Sequence, residues 1–300
     1  MNAEVPSHSR FDIYQTVTNS IIAAIEAGAG DFVMPWHGCG APIAKPQNAH
    51  TRMEYHGINV LALWAHAHDR GYRSGYWGTY RQWQEVGAQV AKGEKSSIIV
   101  FFKRIEDEPD VSGDTPSVRL FARASRVFNA DQVAGWVPPA ERHPLGNAEV
   151  MESVATFIKA TKADVQWGGQ MACYHIVDDY IEMPDAGRFR DTPTSSASEG
   201  LGATILHELI HYSGARHRLA RFEGALKKED VALEELVAEL GAAFLCADLG
   251  VTNEPRPDHA AYVAHWLQLL KNDTRAIFTA SRLANQAAMY LHELASAGEW

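Results

Sequence analysis

The sequence predicts an α+β chain of two domains: an N-terminal α+β domain and a C-terminal domain with a small sheet and mostly helices. Three observations carry this. Two runs rich in β-branched and aromatic residues, 97–103 (SIIVFFK) and 118–128, stand together in the first half. Residues 130–147 hold Pro138, Pro139 and Pro144 with little periodicity, which places a boundary between domains 1–140 and 141–300. Beyond it, short strands precede and helices follow the stretch ATILHELIHYSGARH, residues 203–217.

In chain order, residues 11–27 read as a helix, because Ile13, Val17, Ile21, Ala24 and Ile25 recur at helical spacing and Gly28 follows as a stop. A Gly- and Pro-rich loop follows to Gln47. Residues 58–70 form a second helix with Trp64 on its apolar face. His66 and His68 sit two apart there and share no face, so they read as a polar edge. A third helix is expected over 79–89. The strand 97–103 then pairs with 118–128 across the acidic, turn-rich residues 106–117. Phe101 and Phe102 alternate in the first strand, so one of them should point inward. In the second half, a helix over 148–160 leads to strands near 165–167, 173–176 and 180–183, then to a polar loop. The helix over 203–213 comes next, and further helices near 229–249, 258–270 and 274–297.

With 46% apolar residues the chain can bury a real core, and its net charge of −10 excludes a wholly basic nucleic-acid binder. The charge is uneven. Residues 1–140 carry 13 Lys+Arg against 14 Asp+Glu, and the remainder 14 against 23, so the excess acid lies in the second half. Cys39, Cys173 and Cys246 are odd in number and far apart, which implies no disulfide framework and fits the reducing cytoplasm. No signal peptide or membrane span is expected.

His207-Glu208-Leu209-Ile210-His211 is an HExxH pattern. Histidines four apart stack on one face of a helix and can hold one divalent metal at about 2.0–2.1 Å, Zn²⁺ first and Mn²⁺ as the alternative. Glu208 stands beside the metal, placed to take a proton from water as general base. Two schemes complete the site. His217 fits HExxHxxGxxH through Gly214, but the only later methionine, Met289, lies in a helical pattern and offers no methionine turn. The preferred ligand is Glu235, on the helix VALEELVAELGAAFLCADLG. Glu235 and Glu239 lie one turn apart on a face that continues as Ala242 and Cys246, and two carboxylates on a face suited to burial need a partner. Glu239 is then the carboxylate that accepts from a ligand histidine N–H, and Glu234 is placed at the surface. Three protein ligands leave a position for water, and attack on a peptide carbonyl is the expected chemistry. Residues 180–183 are expected as the edge strand that receives an extended peptide. Tyr174, His175, Tyr212 and His217 are the candidates for stabilising the oxyanion.

Residues 45–104 carry nine basic and four acidic residues among many aromatics. Cations that track phosphates and rings on which bases stack are the two components of single-strand binding. The candidates are Lys45, Arg52, Tyr72, Arg73, Tyr76, Trp77, Arg81, Lys92 and Lys95. The stretch GYRSGYWGTYRQW, residues 71–83, is the expected stacking platform, with glycines that free Tyr72, Tyr76 and Trp77 to face outward.

PWHGCGAPIAKPQN (35–48), YHGINVLALWA (55–65), residues 71–102 and VFNADQV (127–133) resemble the N-terminal domain of plasmid ArdC-type antirestriction proteins, a domain that also occurs in TraC-type primases. HELIHYSGARHRL and EELVAELGAAFLCADLG resemble the C-terminal domain of the same proteins. The resemblance implies a single-stranded-DNA-binding domain, a zincin-like metallopeptidase domain, and a role in shielding incoming conjugative DNA from host restriction. Two function classes stay open: a DNA-binding protector that carries the peptidase site, and a peptidase brought to DNA that cuts a protein such as a restriction enzyme.

Overall fold

The structure is a computed structural model that describes residues 12–28, 34–37, 43–106, 118–139, 146–193, 195–221, 228–252 and 260–297. Cys39 and the expected acidic hairpin loop, from residue 107 on, lie outside the described residues.

The first half begins with α1 (Ile13–Gly28), whose Val17, Ile21 and Ile25 are buried as their spacing requires. The short β1 (Gln47–Asn48) precedes α2 (Ile58–Arg70), which ends on Gly71 in the left-handed conformation that glycine adopts without cost. Next come β2 (Tyr76–Gly78) and α3 (Tyr80–Glu85). A capping box between Thr79 and Gln82 starts α3, which is shorter than expected because Gln89–Val90 leave it to form β3. The long strands β4 (Ser97–Glu106) and β5 (Val118–Asn129) pair antiparallel from Ser97↔Val127 to Glu106↔Val118. They join a four-stranded sheet of order β1-β2-β5-β4, while β3 pairs with β6 (Val133–Ala134). The outer edge of β4 is covered locally by α2: the Asn59 amide accepts from Val100 N–H at 2.7 Å and donates to Val100 C=O at 2.9 Å.

The second half runs α4 (Asn147–Thr161), β7 (Val165–Gly169), β8 (Cys173–His175), β9 (Tyr180–Pro184), α5 (Ala197–Ser213), α6 (Lys228–Leu249), α7 (Ala260–Asn272) and α8 (Ala276–Ala297). Its sheet has the order β7-β9-β8. The strand expected at the edge, β9, is therefore the central one. It pairs with β7 on one side and β8 on the other, and its alternate residues Ile181 and Met183 are fully buried on one face.

One apolar core runs through both halves. Ile21 and Ile25 of α1, Leu61 and Leu63 of α2 and Trp77 of β2 belong to the same cluster as Leu206, Leu240, Phe244 and Ala284 from α5, α6 and α8. A smaller cluster around Trp83, Ala49 and Val90 lies beside it.

Two expectations about aromatics are corrected. Trp77 does not face outward; it is 1% exposed. In a strand successive side chains point to opposite faces. Tyr76 packs on the smaller cluster and Gly78 sits against the Trp83 ring, so Trp77 between them turns into the main core. Neither Phe101 nor Phe102 is buried, at 54% and 46% exposure, because this part of β4 runs beyond the core that covers Ile99 and Val100. Trp64 is a core residue, as its helix face indicates.

Lys45 reaches Asp248 near the end of α6 at 2.6 Å, and His292 of α8 meets the same carboxylate at 2.9 Å. Burial alone would raise the Asp248 carboxyl, but the His292 hydrogen bond and the Lys45 charge outweigh it and hold it below the ordinary carboxylate range. Its contribution to stability is thus complete above the unfolded value of about 3.9 and is lost as pH falls through the lower folded value. The urea midpoints of wild type and Asp248→Asn should differ most above about pH 4 and converge in stronger acid. A constant gap at every pH would contradict this. Trp77→Ala should cost about 3–5 kcal/mol in the same titration; a loss within the scatter of surface variants would return the ring to the surface.

Candidate metal centre

The helix α5 starts on a capping box: the Ser196 hydroxyl accepts from Glu199 N–H at 3.2 Å, and the Glu199 carboxylate accepts from Ser196 N–H at 2.9 Å. Every residue from Gly202 to Ile210 is buried, so this is a core helix and its two histidines are set by packing on all sides. His207 and His211, one turn apart, aim their Nε2 atoms at a common point, 3.2 Å from one another.

The third donor comes from α6. At Gly241 the helices approach so closely that an added Cβ would stand 2.7 Å from Cδ1 of the fully buried Ile210. Six residues earlier, the Glu235 carboxylate reaches over the histidines, with Oε2 3.6 Å from His207 Nε2 and Oε1 3.7 Å from His211 Nε2. Donors bound at 2.0–2.1 Å in a tetrahedral site stand about 3.3–3.4 Å apart, and the three observed separations bracket that value. Two imidazole nitrogens that face each other can share at most one proton, whereas a cation between them and a carboxylate satisfies all three. The donor set thus fits one divalent metal ion, and among the described residues it is the one such group of His, Cys, Asp and Glu.

A carboxylate holds the remote nitrogen of His211, whereas the hydrogen bond expected from a ligand histidine to Glu239 is not made: the nearest approach is 3.9 Å. His211 Nδ1 donates to Glu234 Oε1 at 3.1 Å, and Arg221 grips both oxygens of Glu234 at 2.9 and 3.0 Å. Glu234 is therefore not a surface residue; it is 8% exposed. It lies off the Glu235–Glu239 face of α6, but the turn after α5 brings Arg221 over that flank and closes it. Burial would lower the His211 value, but the Glu234 hydrogen bond and the Glu208 and Glu235 charges raise it above the ordinary range. Glu234 moves the other way: burial pushes it up, and His211 and Arg221 bring it below.

His207 Nδ1 lies 3.9 Å from Glu239 Oε2. The other Glu239 oxygen accepts from Trp36 Nε1–H at 3.1 Å and His37 Nε2–H at 2.9 Å. His37 Nδ1 accepts from Met34 N–H at 3.0 Å, so the proton of this imidazole belongs on Nε2, facing Glu239. The first half of the chain thus contributes directly to the surroundings of the donor cluster. Sequence reading missed Arg221, Trp36 and His37; the Pro35-Trp36 centre of a Gly-rich loop was the one available signal for the last two.

Glu208 is buried beside His207 at 4% exposure. His217 is brought elsewhere: its side chain is 63% exposed and its Nε2 lies 3.2 Å from Asp179. Gly214 has an ordinary right-handed φ of −80°, so the sharp glycine turn that would carry His217 back to the cluster is not made. Asp179 also takes both guanidinium nitrogens of Arg218 at 2.8 Å and the Tyr174 hydroxyl at 2.7 Å. Burial, then this bond, pushes the Tyr174 hydroxyl up to about 12. Arg218 covers the Tyr212 ring at 3.3 Å, and His175 bonds to Glu182 at 3.0 Å. Tyr174, His175 and His217 thus have polar atoms committed to carboxylates.

The nucleic-acid candidates divide. Trp77 is core and the Lys45 ammonium is held by Asp248. Arg81 pairs with Glu85 at 3.0 Å. Tyr72 is half-buried against the edge of Trp77, and Tyr76 is half-buried against Trp136. The exposed Arg52 lies over the Tyr76 and Trp136 rings at 5.6 and 6.0 Å. Arg73, Lys92 and Lys95 are exposed.

Residues 152–283 match the family model of a zincin-like metallopeptidase, and residues 11–128 that of the N-terminal domain of anti-restriction factor ArdC. Protein y4eC of Sinorhizobium fredii (strain NBRC 101917 / NGR234) is 46% identical over 288 residues, 94% of this chain and 92% of that protein. DNA primase TraC of Escherichia coli is 32% identical over 286 residues, 89% of this chain but 26% of the primase, so the chain spans about a quarter of that relative. The crystal structure of the metal-free antirestriction ArdC protein from R388 plasmid superposes with a TM-score of 0.80 at 40% identity, covering 96% of this chain and 99% of that one. Its Mn(II)-bound form gives 0.77 at 40% identity, covering 95% and 99%.

Calorimetric titration with Zn²⁺ or Mn²⁺ should give one site. Its affinity should fall about 10- to 100-fold in Glu234→Gln, which weakens the hold on the His211 imidazole. His217→Ala should leave the affinity unchanged. Loss of binding in His217→Ala with full binding in Glu235→Ala would reverse the choice of third ligand.

Proposed function

The chain belongs to the ArdC family of antirestriction proteins, with a zincin-like metallopeptidase domain after the ArdC N-terminal domain, and on that footing we propose that it binds single-stranded DNA and protects incoming conjugative plasmid DNA from host restriction. In this reading residues 1–140 bind the strand, residues 141–300 carry a metallopeptidase site, and the protein acts in the cytoplasm. No helix among the described residues is long and apolar enough to cross a membrane.

The observation that carries the peptidase part is the convergence of His207, His211 and Glu235. A divalent metal ion held there, Zn²⁺ or the Mn²⁺ of the R388 relative, supplies Lewis acidity to a peptide carbonyl and to water. Glu208, next to His207 on the same helix and close enough to raise His211, takes a proton from the attacking water and passes it to the leaving amine. Glu234 orients the His211 imidazole and fixes which of its nitrogens carries the proton, and Glu239 adds negative charge 3.9 Å from His207 Nδ1. An extended substrate would pair with the outer edge of β8, which packs on α5 and has β9 on its other side.

The DNA part rests on family membership, on the 26% of TraC primase that the chain matches, and on the exposed cations Arg52, Arg73, Lys92 and Lys95 beside aromatic clusters. A second reading, a peptidase recruited to DNA that cleaves a protein such as a restriction enzyme, is favoured by Glu208: a purely structural metal site has no use for a buried carboxylate beside its ligand.

Glu208→Gln separates the two. The variant should keep its metal and its strand affinity, lose hydrolysis of a denatured protein substrate, and still protect a conjugated plasmid in a restricting host. Loss of protection with intact DNA binding would select the second reading. Absence of salt-dependent binding to single-stranded oligonucleotides in wild type would remove the first.

A further inference from the structure

A cavity of about 520 Å³ opens between the first turn of α3, strand β3 with the turn that follows it, and β5. Its volume falls within the range of about 300–1,000 Å³ typical of small-ligand sites. Tyr80, Gln89, Val90, Lys92 and Phe128 line it. The Tyr80 ring is 45% exposed and meets Phe128 edge-on, with centroids 6.4 Å apart. Phe128 fixes the ring from one side and leaves aromatic surface at the opening.

The polar groups there are already sorted. Both hydrogens of the Gln89 amide are used, one towards the Tyr80 hydroxyl at 2.8 Å and one towards Val90 C=O at 3.0 Å. The Gln89 carbonyl oxygen is left as an acceptor and the Tyr80 hydroxyl, itself accepting, has its own proton to give. An acceptor and a donor side by side at the rim of an aromatic slot match the edge of a nucleobase. Lys92 lines the same cavity, the exposed Lys95 follows on the same loop, and Arg126 is exposed two residues before Phe128 on the same face of β5. Glu94 also lines the cavity, and its carboxylate accepts from the Gln132 amide at 2.8 Å. Gly93, at φ +92°, makes the tight turn that carries Lys92 to the rim.

The geometry points to a subsite for one unstacked base of a single strand: the base stacks on Tyr80, its edge meets Gln89 and the Tyr80 hydroxyl, and Lys92 meets the adjoining phosphate. A base inside a duplex is paired and stacked and cannot enter, so the site selects single strands. The assignment rests on the single-strand reading above and names where that strand is held. Of the aromatics first expected to stack, Trp77 is core and Tyr72 and Tyr76 are half-buried; Tyr80, three residues after Trp77 and not among them, is 45% exposed.

The test is fluorescence anisotropy of the full chain with a labelled oligothymidylate, and with a backbone of equal length made of abasic units. Tyr80→Ala should weaken oligothymidylate binding about 5- to 100-fold, the value of one stacked base, with an unchanged salt slope. Tyr80→Phe should keep most of the affinity. Lys92→Ala should lower the salt slope by about 0.7. Wild type and Tyr80→Ala should bind the abasic strand equally. Oligothymidylate binding within twofold of wild type in Tyr80→Ala would overturn the subsite while leaving strand binding in place, and so would an equal loss on the abasic strand. Displacement of the oligonucleotide by equimolar thymidine monophosphate would make this a site for free nucleotides and overturn the assignment to a strand. If wild type binds neither strand, the single-strand reading falls and the subsite with it.

Discussion

The contact of Ile210 with the backbone of Gly241 is the constraint on which the metal centre depends. A side chain at position 241 would collide with a fully buried isoleucine, so α6 lies close on α5 at this point. Glu235 sits six residues before that contact, and its carboxylate then falls 3.6 and 3.7 Å from the two histidine nitrogens. Extra bulk at the contact has to be met by a shift of α6 or of Ile210, and a shift of α6 moves Glu235 relative to the histidines. The HExxH pattern brings two donors together by helical period alone; Glu235 is brought to them by packing.

The carboxylates around that centre tie it to the rest of the molecule. Glu234 is clamped by Arg221 from the turn after α5. Glu239 is held by Trp36 and His37, from a loop more than two hundred residues earlier in the chain. Lys45, expected to meet phosphate, bonds to Asp248 on the same α6 helix. With α1 and α2 in the same apolar core as α5, α6 and α8, the segment that matches the ArdC N-terminal domain and the segment that matches a zincin-like metallopeptidase are mechanically joined. A strand bound near α3 and a substrate bound near α5 would act on one packed body.

Much of this was legible in the sequence where one periodicity decides the outcome. His207 and His211 share a face because they are four apart, and Glu235 with Glu239 stood out because Ala242 and Cys246 continue their face as buried residues. Local reading failed where a second element decides. Glu234 looks like surface until Arg221 arrives from outside its helix. Trp77 looks free among glycines until β2 takes a central place in its sheet and alternation turns the ring inward. The strand β9 looks like an edge until β7 and β8 flank it. His217 has the right spacing, but the turn it needs at Gly214 competes with the Asp179–Arg218–Tyr174 network, which draws that loop away.

The central claim, a single metal centre assembled from α5 and α6, is tested most directly by the anomalous signal of crystals grown with Zn²⁺ or Mn²⁺. The account predicts one peak within about 2.0–2.2 Å of His207 Nε2, His211 Nε2 and a Glu235 oxygen, with Glu234 on the remote nitrogen of His211 and His217 still on Asp179. A peak coordinated by His217, or one that leaves Glu235 out of its ligands, would contradict it.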